Sequence, residues 1–374
     1  QFAPFFEWLG ELCRTYPCIM AVEMHNEPNL RSFWGGTEKD YADSCKEGAA
    51  ILKARSPATP VVIGSISHLW WGPGVQWLAR VMEHGAMEAA DGLSAHPYRN
   101  GTAPEGGSMR ADPKDPRGLE SELRDWWGMV QQFNPSNKPL KFYLTEVGYS
   151  TGRDAKPSGV EVDSLDRQAD YIARLALVVL DVRLRGLPIE SLNWYDLKCD
   201  SEDPGLQANF GVVSFDASQP RPAYEAYSRV GKAFGNSLDL EPLDLAPTFE
   251  GGGEVVKTFA WRRFSDGALI AAFWRLNQLQ DRDEDFDTAM TLPLPAGLAP
   301  RSVTLEDLHE PAPRQVDWAP ADGAIRVAVK VTARPAWLIV APAEPKPTRL
   351  AGGWHWTLPG RFDAGGARCE LRGP

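Results

Sequence analysis

The sequence is poor in the features that mark several common protein classes. It has only five cysteines, Cys13, Cys18, Cys45, Cys199 and Cys369, an odd number with no Cys-x-x-Cys pair. That disfavours a structural zinc site and a dense disulfide framework, leaving room for one or two bridges. No apolar run approaches the roughly 20 residues a membrane-spanning helix needs, so no membrane partner is expected. No secretory leader pattern opens the chain. Clustered lysine and arginine are missing, and the formal charge is −11. Phosphate backbones need such clusters, so nucleic acid is not an expected partner. No internal repeat is visible.

What is present is an ordinary soluble composition with fourteen tryptophans. Many of these belong in a core, but flat sugar faces also need aromatic platforms. From residue 1 to 238, short apolar runs alternate with long amphipathic stretches. Residues 18–25, 60–67, 91–96, 141–147 and 189–195 read as strands, and 40–56, 118–133, 164–186 and 222–235 as helices. Apolar strands that alternate with helices predict a parallel sheet covered on both faces. An open doubly wound sheet would carry a Gly-rich phosphate turn after its first strand, and none is there. The α/β reading is therefore a TIM barrel.

From 239 to 345 the texture changes to strand-like runs broken by Gly, Pro and Asp (254–264, 267–277, 289–295, 301–308, 324–342), the pattern of an antiparallel β-sandwich domain. Residues 240–253 read as the linker. The tail, 346–374, has no assignment.

In parallel α/β barrels the reactive side chains sit at the C-terminal ends of the strands. Glu27 follows the first strand, Glu146 ends the fourth, and His96 and Tyr98 close the third. The two carboxylates are 119 residues apart in the sequence, which is three βα units of roughly 40 residues. They should face each other across one barrel mouth. A facing pair, one protonated and one ionised, is what glycosidic bond cleavage requires. Either glutamate alone would as readily be a solvated charge. Trp70 and Trp71, directly after the second strand, are the expected sugar platform, with Trp34, Tyr149 and Tyr195 as further loop aromatics.

The segments His-Asn-Glu-Pro (25–28), His-Pro-Tyr (96–98), Leu-Thr-Glu-Val-Gly-Tyr (144–149) and Leu-Asn-Trp-Tyr-Asp-Leu-Lys (192–198) resemble the active-site strands of clan A glycoside hydrolases. Residues 208–227 resemble the region after the eighth strand in family 39. The resemblance implies a retaining (β/α)8 enzyme acting on an oligo- or polysaccharide by double displacement, with Glu27 as general acid/base and Glu146 as nucleophile. It further implies that Asn26 binds a sugar 2-hydroxyl, Tyr98 donates to Glu146, His96 lines the same face, and Trp194 floors the sugar site. Neither metal nor organic cofactor is called for. A secreted or periplasmic location is what the family suggests.

Clan A places Asn-Glu after strand four, yet here it comes at residue 26. The expectation is a chain holding strands four to eight, with the N-terminal barrel segment as a missing partner. Competing readings are a family 5-like endo-acting cellulase or mannanase, and a carbohydrate-binding protein without activity.

Overall fold

The computed structural model describes residues 2–69, 72–99, 101–106, 118–152, 162–251, 256–276 and 285–344. Trp70, Trp71, Cys369 and the tail 346–374 lie outside these. The first part runs α1 (Phe2–Thr15), β1 (Val22–Glu23), α2 (Glu38–Arg55), β2 (Val61–Ser67), α3 (Pro73–Glu83), β3 (Gly92–His96), α4 (Leu119–Gln132), β4 (Lys141–Val147), α5 (Leu165–Leu184), β5 (Ile189–Trp194) and α6 (Pro222–Phe234). The five strands form one parallel sheet in the order β1-β2-β3-β4-β5, with all pairings parallel.

Local signals explain where these elements start. Thr37 caps α2 in a reciprocal capping box with Asp40, and Ser164 accepts the Arg167 N–H at the start of α5. Strand β3 is buried throughout and β2 nearly so, as expected of strands covered on both faces. The edge strand β5 is mostly half-buried.

One sequence reading needs correction here, and one element is additional. The run 18–25 yields only the two-residue strand β1, and positive φ at His25 and Glu27 keeps the extended backbone from continuing beyond it. Residues 73–83, not assigned from the sequence, form the crossover helix α3, whose first turn carries Pro73 after Gly72.

The second part comprises β6 (Leu240–Leu243), β7 (Thr248–Phe249), β8 (Val256–Arg263), β9 (Leu269–Arg275), β10 (Phe286–Pro293), β11 (Pro300–Asp307), β12 (Arg314–Gln315), β13 (Trp318–Ala321), β14 (Ala324–Val331) and β15 (Ala336–Pro342). These form two antiparallel sheets, β13-β14-β10-β7 and β12-β11-β15-β9-β8-β6. Side chains from both, among them Phe249, Phe273, Met290, Leu305, Val327 and Leu338, share one apolar cluster. The supposed linker, 240–253, instead supplies β6 and β7, an edge strand of each sheet. The stretch 324–342 is two strands rather than one, broken at Thr332–Pro335.

The two parts are packed together. Trp261, Trp274 and Trp337 are fully buried, and Phe234 of α6 meets Trp261 and Trp337 edge-on at 5.2 and 5.0 Å. Much of the tryptophan content is therefore structural. Polar links run beside this contact. Trp274 Nε1 donates to buried Glu105 at 2.7 Å, and Arg174 Nε donates to the Ala333 carbonyl at 2.6 Å. Arg334 reaches Asp170 and Asp166 at 2.6 and 2.8 Å, and Arg229 donates to Glu306 at 2.8 Å. Among the described residues, Cys13, Cys18, Cys45 and Cys199 are all free, and no helix is long and apolar enough to cross a membrane.

Candidate active site

The C-terminal ends of β1 to β5 converge on one cavity of about 560 Å³, lined by Asn26, Glu27, Ser67, His68, Tyr98 and Glu146 and also by Phe33, Tyr195, Leu206 and Phe210. That volume lies within the roughly 300–1,000 Å³ typical of ligand pockets.

Glu27 is delivered by a strained turn. His25 and Glu27 take φ of 65° and 40°, in the left-handed region that non-glycine residues seldom enter. The surroundings hold the turn in place. Asn29 Oδ1 accepts the Ser67 N–H at 3.0 Å, the Leu30 N–H returns to the Glu27 carbonyl at 2.9 Å, and the Tyr41 hydroxyl donates to the Met24 carbonyl at 3.0 Å. The turn separates side chains that strand periodicity would have placed together. Glu23 accepts from the Thr145 hydroxyl of β4 at 2.7 Å, whereas His25 turns to α2, 3.0 Å from Ser44 Oγ.

His96 joins the two carboxylates. Its ring is 1% exposed, and Nδ1 lies 3.0 Å from Glu27 Oε1 and 3.7 Å from Glu146 Oε2. Those two oxygens are therefore less than about 7 Å apart, the sum of the two distances being the ceiling. The Tyr98 hydroxyl donates to Glu146 Oε1 at 2.5 Å, the length of a charge-assisted O–H···O bond. Burial, and then the hydrogen bond to Glu146 and its charge, raise the Tyr98 phenol far above its ordinary value, so it stays a donor. Burial lowers the His68 imidazole, which lines the cavity as a neutral group near neutral pH. The side chains of Glu27 and Glu146 are 12% and 28% exposed.

Gly148 lets the ends of β4 and β5 close together. A Cβ there would stand 1.8 Å from the Tyr195 carbonyl oxygen, and the Tyr195 N–H donates to the Val147 carbonyl at 2.8 Å. Just beyond, Asp196 is pushed up to about 6, by burial first and then by the charge of Asp200.

The structure thus gathers Asn26, Glu27, His96, Tyr98 and Glu146 at one place. Trp194 is not among the residues lining the cavity. It packs against the core with Tyr149, ring centroids 6.0 Å apart, and its neighbour Tyr195 takes the lining position. Tyr149 is buried and is no loop platform, and Trp34 packs on His25 and Tyr41. Trp70 and Trp71, expected as platform, fall outside the described residues, although His68 beside them lines the cavity. Phe33, His68 and Phe210 went unrecognised in the sequence because they come from loops without strand or helix periodicity. Phe210 sits edge-on to both Tyr98 and Tyr195, at 5.9 and 5.4 Å.

No family sequence profile and no curated protein sequence matches the chain. Its fold, however, is found among solved glycoside hydrolases. A family 39 glycoside hydrolase from the gut symbiont Bacteroides cellulosilyticus superposes over 89% of this chain with a TM-score of 0.65 at 20% identity. The chain spans 60% of that structure's length. A glucosidase from Croceicoccus marinus matches over 91% of this chain and 75% of its own, with a TM-score of 0.55 at 14% identity. A family 51 α-L-arabinofuranosidase from Bifidobacterium longum matches over 85% of this chain and 67% of its own, with a TM-score of 0.54 at 11% identity. The structural neighbours therefore fall among the enzymes whose motifs the sequence resembles.

Proposed function

We propose that this chain carries the catalytic site of a retaining glycoside hydrolase acting on an oligo- or polysaccharide. In this reading β1 to β5 stand for strands four to eight of a (β/α)8 barrel, and β6 to β15 for an appended β-sandwich. The observation that carries the proposal is the single buried imidazole of His96, within 3.0 and 3.7 Å of two glutamates that line one cavity. Retaining enzymes hold their carboxyl groups roughly 5–5.5 Å apart and inverting enzymes about 6.5–9.5 Å. The ceiling set by His96 favours the closer arrangement.

The roles follow from the surroundings. Glu146, the more exposed carboxylate and the one that accepts from Tyr98, is the nucleophile. Glu27, the more buried one, is the general acid that gives a proton to the leaving oxygen. Attack of Glu146 on the anomeric carbon forms a glycosyl-enzyme as that C–O bond breaks. Water, losing its proton to the now ionised Glu27, then releases the sugar and regenerates both carboxyl groups. Asn26 lines the cavity beside Glu27 and in this reading bonds the sugar 2-hydroxyl, a contact that strengthens in the transition state. Tyr195 and Phe210 offer the apolar faces for stacking.

The test is release of reducing ends from a panel of xylans, glucans, mannans and bacterial exopolysaccharides, run beside Glu146→Ala. Release that vanishes in the variant supports the proposal. Saturable binding of one glycan without any release would leave a carbohydrate-binding protein instead.

A further inference from the structure

Strand β2 carries a bulge directly behind the two carboxylates. Its pairing with β3 runs Ile63↔Leu93 and then Ile66↔Ala95, so β2 holds one residue more than its partner over this span. The extra residue falls at Gly64 and Ser65, with φ of 109° and 46°. Ser65 is fully buried and is not glycine, so its backbone conformation is unfavourable unless the surroundings fix it. They do. The Ser65 N–H donates to Ser94 Oγ at 2.9 Å, and the Gly64 N–H donates to the Tyr41 hydroxyl at 3.1 Å. A Cβ at Gly64 would stand 2.7 Å from the Ser94 carbonyl oxygen, which is why the residue before the serine carries none.

The consequence is the position of one hydroxyl. Ser65 Oγ lies 3.2 Å from His96 Nε2, on the opposite side of the ring from the carboxylates. A neutral imidazole carries its proton on one nitrogen only. If Ser65 donates to Nε2, the ring proton sits on Nδ1 and points at Glu27 Oε1. In the other tautomer Nδ1 would turn a lone pair toward Glu27, which only a protonated Glu27 could satisfy, and the Ser65 hydroxyl proton, buried, would need a different acceptor. The first arrangement satisfies every group.

We propose that Ser65 is a positioning residue that locks His96 as the Nδ1–H tautomer, so that Glu27 Oε1 always accepts a hydrogen bond and the transferable proton is confined to Glu27 Oε2. Nothing in the local geometry changes between the two states of Glu27. Nδ1–H donates to a carbonyl-like Oε1 when Glu27 is protonated and to a carboxylate oxygen when it is not. The proton therefore leaves from, and returns to, one oxygen. The titratable groups against the ring are Glu27 and Glu146, and His68 N–H donates to the His96 carbonyl at 3.0 Å. Arg99 and Glu122 are the charges behind His68.

The inference rests on Glu27 being the general acid, but its central claim can be measured without turnover. Nitrogen-15 NMR of the histidine ring in the resting protein reads the tautomer, and a His96→Gln sample assigns the signals. Wild type should show Nδ1 protonated and Nε2 unprotonated at neutral pH. Ser65→Ala and Ser65→Gly both delete the hydroxyl, and only glycine relieves the positive φ. Both should lose the single tautomer and lose on the order of tenfold in kcat, one hydrogen bond's worth, with little change in KM. A wild-type ring protonated on Nε2 or on both nitrogens overturns the proposal, as does an unchanged tautomer in both variants. A wild type that cleaves no glycan defeats the hydrolase reading alone, since the NMR result still decides the tautomer.

Discussion

Removing the Tyr98 hydroxyl should disable the site without unfolding it. Tyr98→Phe keeps the ring against Phe210 and deletes one donor, the 2.5 Å bond to Glu146 Oε1. Hydrogen bonds to a charged partner contribute about 1.5–3 kcal/mol. In the proposed mechanism Glu146 is the nucleophile, and the phenol is the hydrogen-bond donor that aims it. With the phenol gone, Glu146 loses that bond and is no longer held in its attacking orientation. At 1.36 kcal/mol per tenfold, kcat should fall roughly tenfold to hundredfold. The assay is initial rates on whichever glycan the wild type cleaves fastest, with circular dichroism melts to verify the fold. Activity within twofold of wild type in a folded variant would refute the reasoning, because Glu146 would then need no donor.

Three further outcomes are expected. Glu27→Ala should lose about 10²–10⁴-fold on natural glycans, the worth of a general acid–base, yet retain the first step on aryl glycosides whose leaving groups need no proton; pre-steady-state bursts separate the two. Asp196→Asn should stabilise the protein above pH 6 by about 1 kcal/mol, a value discounted because the group is partly exposed. The folded carboxyl holds its proton up to about 6, so native stability is lost as pH rises from about 4 through 6. The advantage of asparagine should therefore vanish toward pH 4 in urea melts at fixed pH steps. Trp274→Phe removes the donor to buried Glu105 and should cost about 1.5–3 kcal/mol in urea-induced unfolding, with the α/β and β parts weakened together.

Two acidic groups in one cavity would repel if both were ionised, and Tyr98, which donates to Glu146, and His96, in contact with both, are the groups that reduce that cost. The β domain contributes at a distance. Its Trp274 holds Glu105, in the loop that leaves Tyr98, so the chain beyond the donor is anchored in the junction. Arg99, fully buried one residue after Tyr98, pairs with Glu122 of α4 and with the Gly106 carbonyl, which fixes the same loop from its other side.

By itself the sequence determined the elements whose physics is local. Apolar runs at β2, β3 and β4 are buried on both faces, so their residue types alone specify strands, and Glu146, His96 and Tyr98 fall at or just beyond strand ends that periodicity locates. Helices α2 and α5 were legible from their apolar spacing, and the caps Thr37 and Ser164 are local too. Tertiary structure decided the rest, because the deciding contacts are remote in sequence. The positive φ at His25 and Glu27 is held by Asn29 reaching Ser67 and by Tyr41 reaching Met24, so no pattern around residue 25 shows that Glu23 points inward and His25 outward. The family resemblance singles out Trp194 rather than its neighbour Tyr195. The closeness of Gly148 to the Tyr195 carbonyl and the packing of Tyr149 instead leave Tyr195 lining the cavity and Trp194 half-buried against the core. Residues 240–253 resemble a linker because two short edge strands bury too little to carry a signal; they become strands only when β8 and β10 are there to pair with them.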